Sequence, residues 1–169
     1  DYKKIGLEDY GKPGNYVARQ VSRWSKQYRA SETDDIEAMN NLIEWLPKNI
    51  PDDDETSIVH GDYRLDNMIL KNNEVMGILD WELSTLGHPI ADFSYHCLSW
   101  RTQEAFWDQA KLKDLGIPNE REYMDMYCEN TGKDLSKNWE FYMAFNMFKI
   151  AGILQGILGR VRDGTASSK

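Results

Sequence analysis

The sequence contains few of the residues that build disulfide frameworks or metal clusters. Its 169 residues include two cysteines, Cys97 and Cys128, and three histidines. The cysteines form no CxxC pair and have no histidine at metal-ligand spacing, which predicts buried thiols in the cytoplasm or another reducing intracellular compartment. There is no run of 18 apolar residues and no basic leader before an apolar core, so we expect no membrane span.

Positive charge is also scarce. The chain has 20 Lys and Arg against 28 Asp and Glu, a formal net charge of -8 and a pI near 4.9. This balance argues against nucleic acid as a partner, because binding to phosphodiester backbones depends on clustered basic residues. A nucleotide is compatible with it, since one Mg²⁺ and a few local donors can bind a polyphosphate on an acidic protein.

Large apolar residues, in contrast, are plentiful. Hydrophobic residues make up 41% of the chain and include six Trp and nine Tyr, enough for one compact domain with a sizeable core. The polar segment 1–14, which contains Gly6, Gly11, Pro13 and Gly14, resembles a connection between domains. We therefore expect the sequence to be a fragment of a longer protein.

Apolar spacing predicts a mostly helical chain. Val17, Val21, Trp24 and Tyr28 fall on one face of a helix for which Asn15 is the expected cap. Further helices are predicted from near Thr33 to Pro47, over about 90–100, 103–112 and 119–130 with Gly132 as a C-cap, and over 139–160, which is apolar almost all round and therefore expected to be buried.

Residues 57–79 change to the period of short strands. A strand is predicted over 57–60, and 68–70 and 75–79 predict a hairpin across Asn72 and Asn73. These three short strands are expected to carry the polar residues of the following motif.

Asp62, Asn67 and Asp80 form the polar set that phosphoryl transfer requires. That reaction needs a base or positioning group for the acceptor hydroxyl and oxygen ligands for Mg²⁺. The five-residue spacing lets a turn bring Asp62 and Asn67 to the same side, and the hairpin returns Asp80 as an anionic ligand. Two hard oxygen ligands together with nucleotide phosphates suit magnesium.

His60-Gly61-Asp62 with Asn67, followed by Ile-Leu-Asp-Trp-Glu at 78–82, resembles the aminoglycoside phosphotransferase and choline kinase family, which has a protein-kinase-like fold. The resemblance implies that Asp62 is the catalytic base, that Asn67 and Asp80 bind Mg²⁺, and that ATP is the co-substrate. The implied fold class is α+β and mostly helical: the carboxy-terminal lobe of a kinase-like fold, with a short β-hairpin carrying the catalytic and metal loops.

The segment Gly-His-Pro-Ile-Ala-Asp-Phe at 87–93 also matches this family. Segments 7–11 and 24–28 extend the resemblance to a subgroup that is appended to acyl-CoA dehydrogenases or occurs as bacterial stand-alone proteins. In that subgroup the implied acceptor is a hydroxyl on a small organic acid or on its acyl-CoA ester.

The family's amino-terminal lobe, with the sheet over the nucleotide and the phosphate-pairing lysine and glutamate, has no counterpart in these residues. We therefore expect three partners for this chain: the nucleotide, the small-molecule acceptor and the missing lobe. We expect the chain alone to bind ATP weakly or not at all and to be inactive. The expected organisation is a connecting segment at 1–14, a kinase-like lobe at 15–162 with a catalytic loop at 58–67, a metal loop at 77–82 and a helical subdomain at 90–160, and a disordered tail at 163–169.

Other residues near the motif have two interpretations each. Arg64 is predicted either to contact phosphate or substrate or to pair with Asp66. Glu82 is predicted either to reach the magnesium or its waters or to face solvent. His60 is predicted to support the loop rather than act as a base. Asp92, at the start of an apolar helix, is predicted to be a cap or a loop anchor rather than a metal ligand. The aromatic and Met residues of 139–150 are predicted as core rather than as an acceptor pocket.

Two other functions are compatible with the motif. The chain could be a non-catalytic binding or regulatory module that keeps the kinase-like shape. A metal-dependent hydrolase using Asp62 and Asp80 is disfavoured, because such enzymes assemble more His and carboxylate ligands than this sequence offers.

Overall fold

The computed structural model describes residues 1–102 and 109–165. The helices are α1 Tyr16–Ser31, α2 Glu37–Trp45, α3 Pro89–His96, α4 Leu98–Thr102, α5 Gln109–Asp114, α6 Glu120–Thr131 and α7 Trp139–Arg162. The strands are β1 Ser57–Val59, β2 Met68–Lys71, β3 Glu74–Ile78 and β4 Thr85–Gly87. The described chain is therefore α+β and mostly helical, as predicted.

The predicted hairpin is confirmed as β2 and β3. The two strands are antiparallel, Met68 lies opposite Ile78, and the register shifts after Ile69. Asn72 and Asn73 both have positive φ, 52° and 62°, the backbone conformation that a two-residue hairpin turn with a primed geometry requires and that Asn tolerates better than most residues.

All three predicted strands are present, and β4 is a fourth strand that the sequence did not predict. It pairs antiparallel with β1, so that Ser57 lies opposite Gly87 and Val59 opposite Thr85. A three-residue strand with no alternation gives little signal in the sequence. Its pairing closes 60–84 into one excursion of the chain, with the β2–β3 hairpin in the middle and a polar loop on each side.

The core lies between α7 and the helices α1 and α3. The four predicted α1 residues, Val17, Val21, Trp24 and Tyr28, are all buried. They pack in one cluster with buried side chains of α7 such as Tyr142 and Phe148. This cluster places the amino-terminal half of α7 directly behind the polar loops.

The carboxy-terminal half of α7 is partly exposed, so the prediction that the helix is buried all round is wrong for that half. Leu154, Ile157, Leu158 and Val161 are between 40% and 59% exposed. By length and composition alone α7 could cross a membrane. Nine of its residues are nevertheless buried in this fold, the usual arrangement of a core helix.

Several helix boundaries also differ from the predictions. Asn15 precedes α1 with a φ of 51° and makes no side-chain cap bond, so the predicted cap is wrong. α2 begins at Glu37 rather than near Thr33. The predicted helix over 90–100 divides at Cys97 into α3 and α4.

The predicted end of α6 is confirmed. Gly132 has a φ of 70° and its N–H donates to the Cys128 carbonyl, the left-handed geometry for which glycine is preferred. At the other end, the Asn119 side chain accepts from the Glu122 N–H while Glu122 accepts from the Asn119 N–H, a capping box that the sequence analysis missed.

Two predicted segments fall partly outside the described residues. Of the helix predicted over 103–112, residues 103–108 lie outside them and the remainder belongs to α5. Of the tail predicted over 163–169, residues 166–169 lie outside them, while the N–H groups of Asp163 and Thr165 donate to carbonyls of the last turn of α7.

Candidate active site

Asp92 anchors the start of the first polar loop. One carboxylate oxygen accepts the His60 N–H at 2.8 Å and the other accepts the Gly61 N–H at 2.9 Å. Asp92 lies in the first turn of α3, where the helix dipole favours negative charge. Gly61 has a φ of 86°, a left-handed conformation that glycine adopts without strain.

His60 connects this loop to the second polar loop. Its Nε2 lies 2.8 Å from the Leu79 carbonyl, and its Nδ1 accepts the Asp62 N–H at 3.3 Å. A carbonyl needs a donor and an N–H needs an acceptor, so this geometry is that of the tautomer that carries its proton on Nε2. Both nitrogens are therefore engaged in positioning Asp62 and Leu79.

Asp62 lies at the tip of the first loop, and both of its carboxylate oxygens have donors. Asn67 Nδ2 donates to Oδ2 at 3.0 Å and to the Asp62 carbonyl at 2.8 Å. The Tyr95 hydroxyl donates to Oδ1 at 3.2 Å. The side chain is still 24% exposed, so the carboxylate is oriented and also accessible to an acceptor hydroxyl.

Asn67 and Asp80 are brought together by the hairpin register. Because Met68 lies opposite Ile78, the next pair outward is Asn67 and Leu79, and the Leu79 N–H donates to the Asn67 carbonyl at 2.8 Å. Asp80 follows at once, with an exposed side chain and a φ of 63°. Both predicted metal ligands thus lie at the same end of the hairpin.

The oxygen atoms of Asn67 and Asp80 fit Mg²⁺. The hydrogen bonds of Asn67 to Asp62 use its amide nitrogen. The Asn67 amide oxygen and the Asp80 carboxylate are hard ligands of the kind magnesium takes. Within residues 1–102 and 109–165, no group of three or more His, Cys, Asp or Glu side chains could bind a metal ion. A cation here would need phosphate oxygens and water to complete its coordination.

Arg64 and Glu82 lie at the edge of the site. Arg64 Nη2 is 3.1 Å from Asp66 Oδ2, and its Nε is 3.9 Å from Asp62 Oδ2. Arg64 thus pairs with Asp66 while remaining 55% exposed. Glu82 is exposed on the 3₁₀ turn Trp81–Leu83.

The sequence analysis missed two residues of the site, Tyr95 and Lys149. Tyr95 donates to Asp62, and the Lys149 amine lies 4.3 Å from the centroid of the Tyr95 ring. Burial, reinforced by the Asp62 carboxylate, raises the pKa of Tyr95 to about 12, so its hydroxyl remains a donor at neutral pH. Two signals were available: Tyr95 follows Asp92 at i+3, and Lys149 is the one basic residue between Trp139 and Leu158.

This arrangement defines a kinase-like phosphotransferase domain. An accessible carboxylate, an amide oxygen and a second carboxylate lie on adjacent loops against a helical core, the kinds of group that phosphoryl transfer to a hydroxyl requires. Residues 1–127 match the model of the family described as "Phosphotransferase enzyme family", and the chain belongs to that family.

The chain is also similar to a protein of known structure and to longer proteins named as acyl-CoA dehydrogenase family members. A crystal structure of a candidate aminoglycoside phosphotransferase from Ralstonia eutropha is 55% identical, with a TM-score of 0.92 over 99% of this chain and 53% of that chain. Mouse acyl-CoA dehydrogenase family member 10 is 48% identical over 99% of this chain and 16% of its own length. Human acyl-CoA dehydrogenase family member 11 is 42% identical over 99% of this chain and 22% of its own length.

These comparisons confirm the predicted family, its kinase-like fold and the relation to acyl-CoA dehydrogenase proteins. They also show that the chain covers only part of each relative's length. It spans about half of the solved relative and less than a quarter of the two mammalian relatives.

Proposed function

We propose that this chain carries the catalytic base and metal ligands of an ATP-dependent phosphotransferase that acts on a hydroxyl of a small molecule, a hydroxy acid or a hydroxyacyl-CoA. The observation that carries the proposal is the Asp62 carboxylate, oriented by Asn67 and Tyr95 and still accessible. Asn67 serves both parts of the site, because its nitrogen orients the base while its oxygen remains for a cation.

In the proposed reaction Asp62 accepts the proton of the acceptor hydroxyl. The acceptor oxygen forms a bond to the γ-phosphorus as the bond to the ADP oxygen breaks, and ADP leaves with the electron pair. Bound Mg²⁺ would neutralise the phosphate charge, with Asn67 and Asp80 as its protein ligands. Asp92 and His60 keep the loop in the conformation in which Asp62 faces the acceptor.

The remaining features agree with this function. We propose that a further lobe completes the nucleotide cleft, supported by the coverage of only half of the solved relative. The free thiols Cys97 and Cys128 support a reducing intracellular compartment. The net charge of -8 supports a nucleotide rather than nucleic acid as the phosphate-bearing partner.

Asp62→Asn in the full-length protein tests the proposal. We expect nearly unchanged Mg-nucleotide affinity by calorimetry and a fall in phosphoryl transfer of about 10²- to 10⁴-fold, the usual contribution of a general base. Asp66→Asn is the matched control, because Asp66 is an exposed carboxylate on the same loop whose one ion pair among the described residues is with Arg64; transfer should stay within about threefold.

The outcomes separate the competing functions. Unchanged turnover in Asp62→Asn would remove Asp62 from the mechanism. Mg-nucleotide binding by the wild-type protein without transfer to any hydroxyl would instead favour a binding or regulatory module. Phosphate release from a monoester in the absence of nucleotide would favour a hydrolase.

A further inference from the structure

His96 lies at the carboxy-terminal end of α3, four residues after Asp92, and contacts the catalytic loop. Its Nδ1 is 3.0 Å from the Tyr63 carbonyl oxygen. The centroids of the His96 and Tyr63 rings are 5.2 Å apart. His96 therefore contacts both the backbone and the side chain of the residue that directly follows Asp62.

The hydrogen bonds of the His96 ring are those of one neutral tautomer. The Tyr63 carbonyl needs a donor, which places the proton on Nδ1. Nε2 lies 3.2 Å from the Tyr123 hydroxyl, which can then donate to it. Burial lowers the pKa of His96, against the opposing effects of the Tyr63 carbonyl and Asp92, and burial raises the pKa of Tyr123 to about 12. Burial thus favours the neutral ring and the protonated hydroxyl that these two bonds require.

The backbone around Asp62 is held on both sides by the same helix. On the amino-terminal side, the Asp92 carboxylate accepts the N–H groups of His60 and Gly61. On the carboxy-terminal side, His96 donates to the carbonyl of the next residue along the chain. A group that reacts must be held closely, since a misplacement of about 1 Å can lower a rate about 100-fold.

We propose that His96 is a positioning residue of the phosphoryl transfer: its Nδ1–H holds the Tyr63 carbonyl and thereby fixes the backbone on the carboxy-terminal side of Asp62. This rests on the proposed phosphotransferase function. Among the described residues, the hydrogen bonds of the His96 ring go to Tyr63 and Tyr123 and none goes to the Asp62 carboxylate. His96 therefore acts through the loop rather than as an acid or a base.

Two substitutions separate the roles of the two ring nitrogens. Asn places an amide nitrogen near the position of Nδ1, and Gln places one near that of Nε2, so His96→Asn can keep the donor to Tyr63 and His96→Gln loses it. Transfer by the full-length protein is measured as ADP release with 3-hydroxybutyryl-CoA and 4-hydroxybutyryl-CoA as acceptors. We expect kcat to fall about 10- to 100-fold in His96→Gln and less than about fivefold in His96→Asn, while the KM for Mg-ATP stays within about threefold in both.

Val21→Ala is the control for a loss of stability alone. Val21 is a core residue of α1 that is 1% exposed. Its truncation should lower the midpoint of chemical denaturation, as loss of the imidazole also does, and leave kcat within about threefold of wild type. A kcat that follows the denaturation midpoint across the three variants would reduce His96 to structural support and overturn the inference.

Two measurements on the protein without acceptor test the same bond. Nitrogen-15 spectra of the wild-type histidine rings, with the His96 signals identified by their absence from His96→Asn, should show the proton on Nδ1. Hydrogen exchange over residues 60–67 should be faster in His96→Gln than in His96→Asn. A proton on Nε2, or equal exchange in the two variants, would overturn the inference.

Failure of this inference differs from failure of the proposed function. Equal losses of kcat in His96→Asn and His96→Gln would overturn the positioning role and leave the phosphotransfer standing. A wild-type protein that transfers phosphate to neither acceptor would count against the proposed function, and hydrogen exchange over the loop would then decide whether His96 fixes the backbone beside Asp62.

Discussion

Asn67 couples two parts of the candidate site through one side chain. Its amide nitrogen donates to the Asp62 carboxylate and to the Asp62 carbonyl, which fixes the direction in which its oxygen can face a cation. A change in the position of the cation would therefore be transmitted to the base. Substitutions of Asn67 should accordingly affect both functions together.

Asp92 gives a testable case at the residue scale. Asp92→Asn replaces one accepting oxygen by an NH₂ group that would face the N–H of His60 or Gly61, leaving a donor without a partner. We expect the free energy of unfolding to fall by about 1–3 kcal/mol. We also expect transfer to fall by about 10- to 100-fold, because the loop that carries Asp62 is displaced.

Asp125→Asn provides the comparison. Asp125 pairs with Arg121 one turn away on an exposed face of α6, and such pairs contribute at most about 1 kcal/mol. Chemical denaturation and initial rates should therefore leave this variant close to wild type. An Asp92→Asn protein with wild-type stability and rate would contradict the anchoring role.

The residues of the site differ in how far the sequence could predict them. Asp62, Asn67 and Asp80 lie within 19 residues, so turn chemistry and the hairpin pattern suffice to place them on neighbouring loops. Tyr95 and Lys149 come from α3 and α7, and their approach depends on how these helices pack. No local spacing encodes the contact of Lys149 with Tyr95.

The first polar loop gives a prediction at the scale of an element. A Cβ on Gly61 would lie 2.7 Å from the Leu83 carbonyl oxygen, in a residue whose φ is 86°. Gly61→Ala should cost about 3 kcal/mol in unfolding free energy, since a clash with backbone adds to the cost of positive φ. The loop that carries Asp62 would also move away from the turn that contains Leu83.

Gly116→Ala separates the two costs. Gly116 has a φ of 74°, and a Cβ there would meet nothing within 4 Å. This variant should lose only the conformational part, about 1 kcal/mol. Equal losses in the two variants, measured by chemical denaturation, would show that the contact with Leu83 contributes nothing.

Elements with a strong local pattern were predicted well and short ones were not. The apolar face of α1 and the hairpin across Asn72 and Asn73 follow from period and turn chemistry. β4 has three residues and exists because β1 offers a partner 26 residues away, measured from Val59 to Thr85. The missing Asn15 cap has a similar origin, because its N–H donates to Asp54 in a distant loop.

Four half-buried tyrosines give a prediction for the whole molecule. Burial raises the pKa of Tyr16, Tyr95, Tyr123 and Tyr127 to about 12, from an ordinary value of 10.0. The unfolded chain therefore loses these protons first as pH rises, and deprotonation favours unfolding. Their contribution to stability is fully present below pH 10 and is lost between pH 10 and about 12.

Chemical denaturation followed by Trp fluorescence between pH 8 and 12 would measure this loss. Absorbance of tyrosinate in the same buffers should show the native protein titrating later than the denatured protein. A constant free energy of unfolding up to pH 12 would mean that these hydroxyls are equally acidic in both states.

The pairing of β1 with β4 has a consequence for local unfolding. The candidate base and both candidate cation ligands lie in the segment 60–84, whose two ends are joined by three residue pairs. Opening that short ladder would release Asp62, Asn67 and Asp80 as one cooperative unit. If these residues act as proposed, loss of this short ladder would remove the base and the cation ligands together.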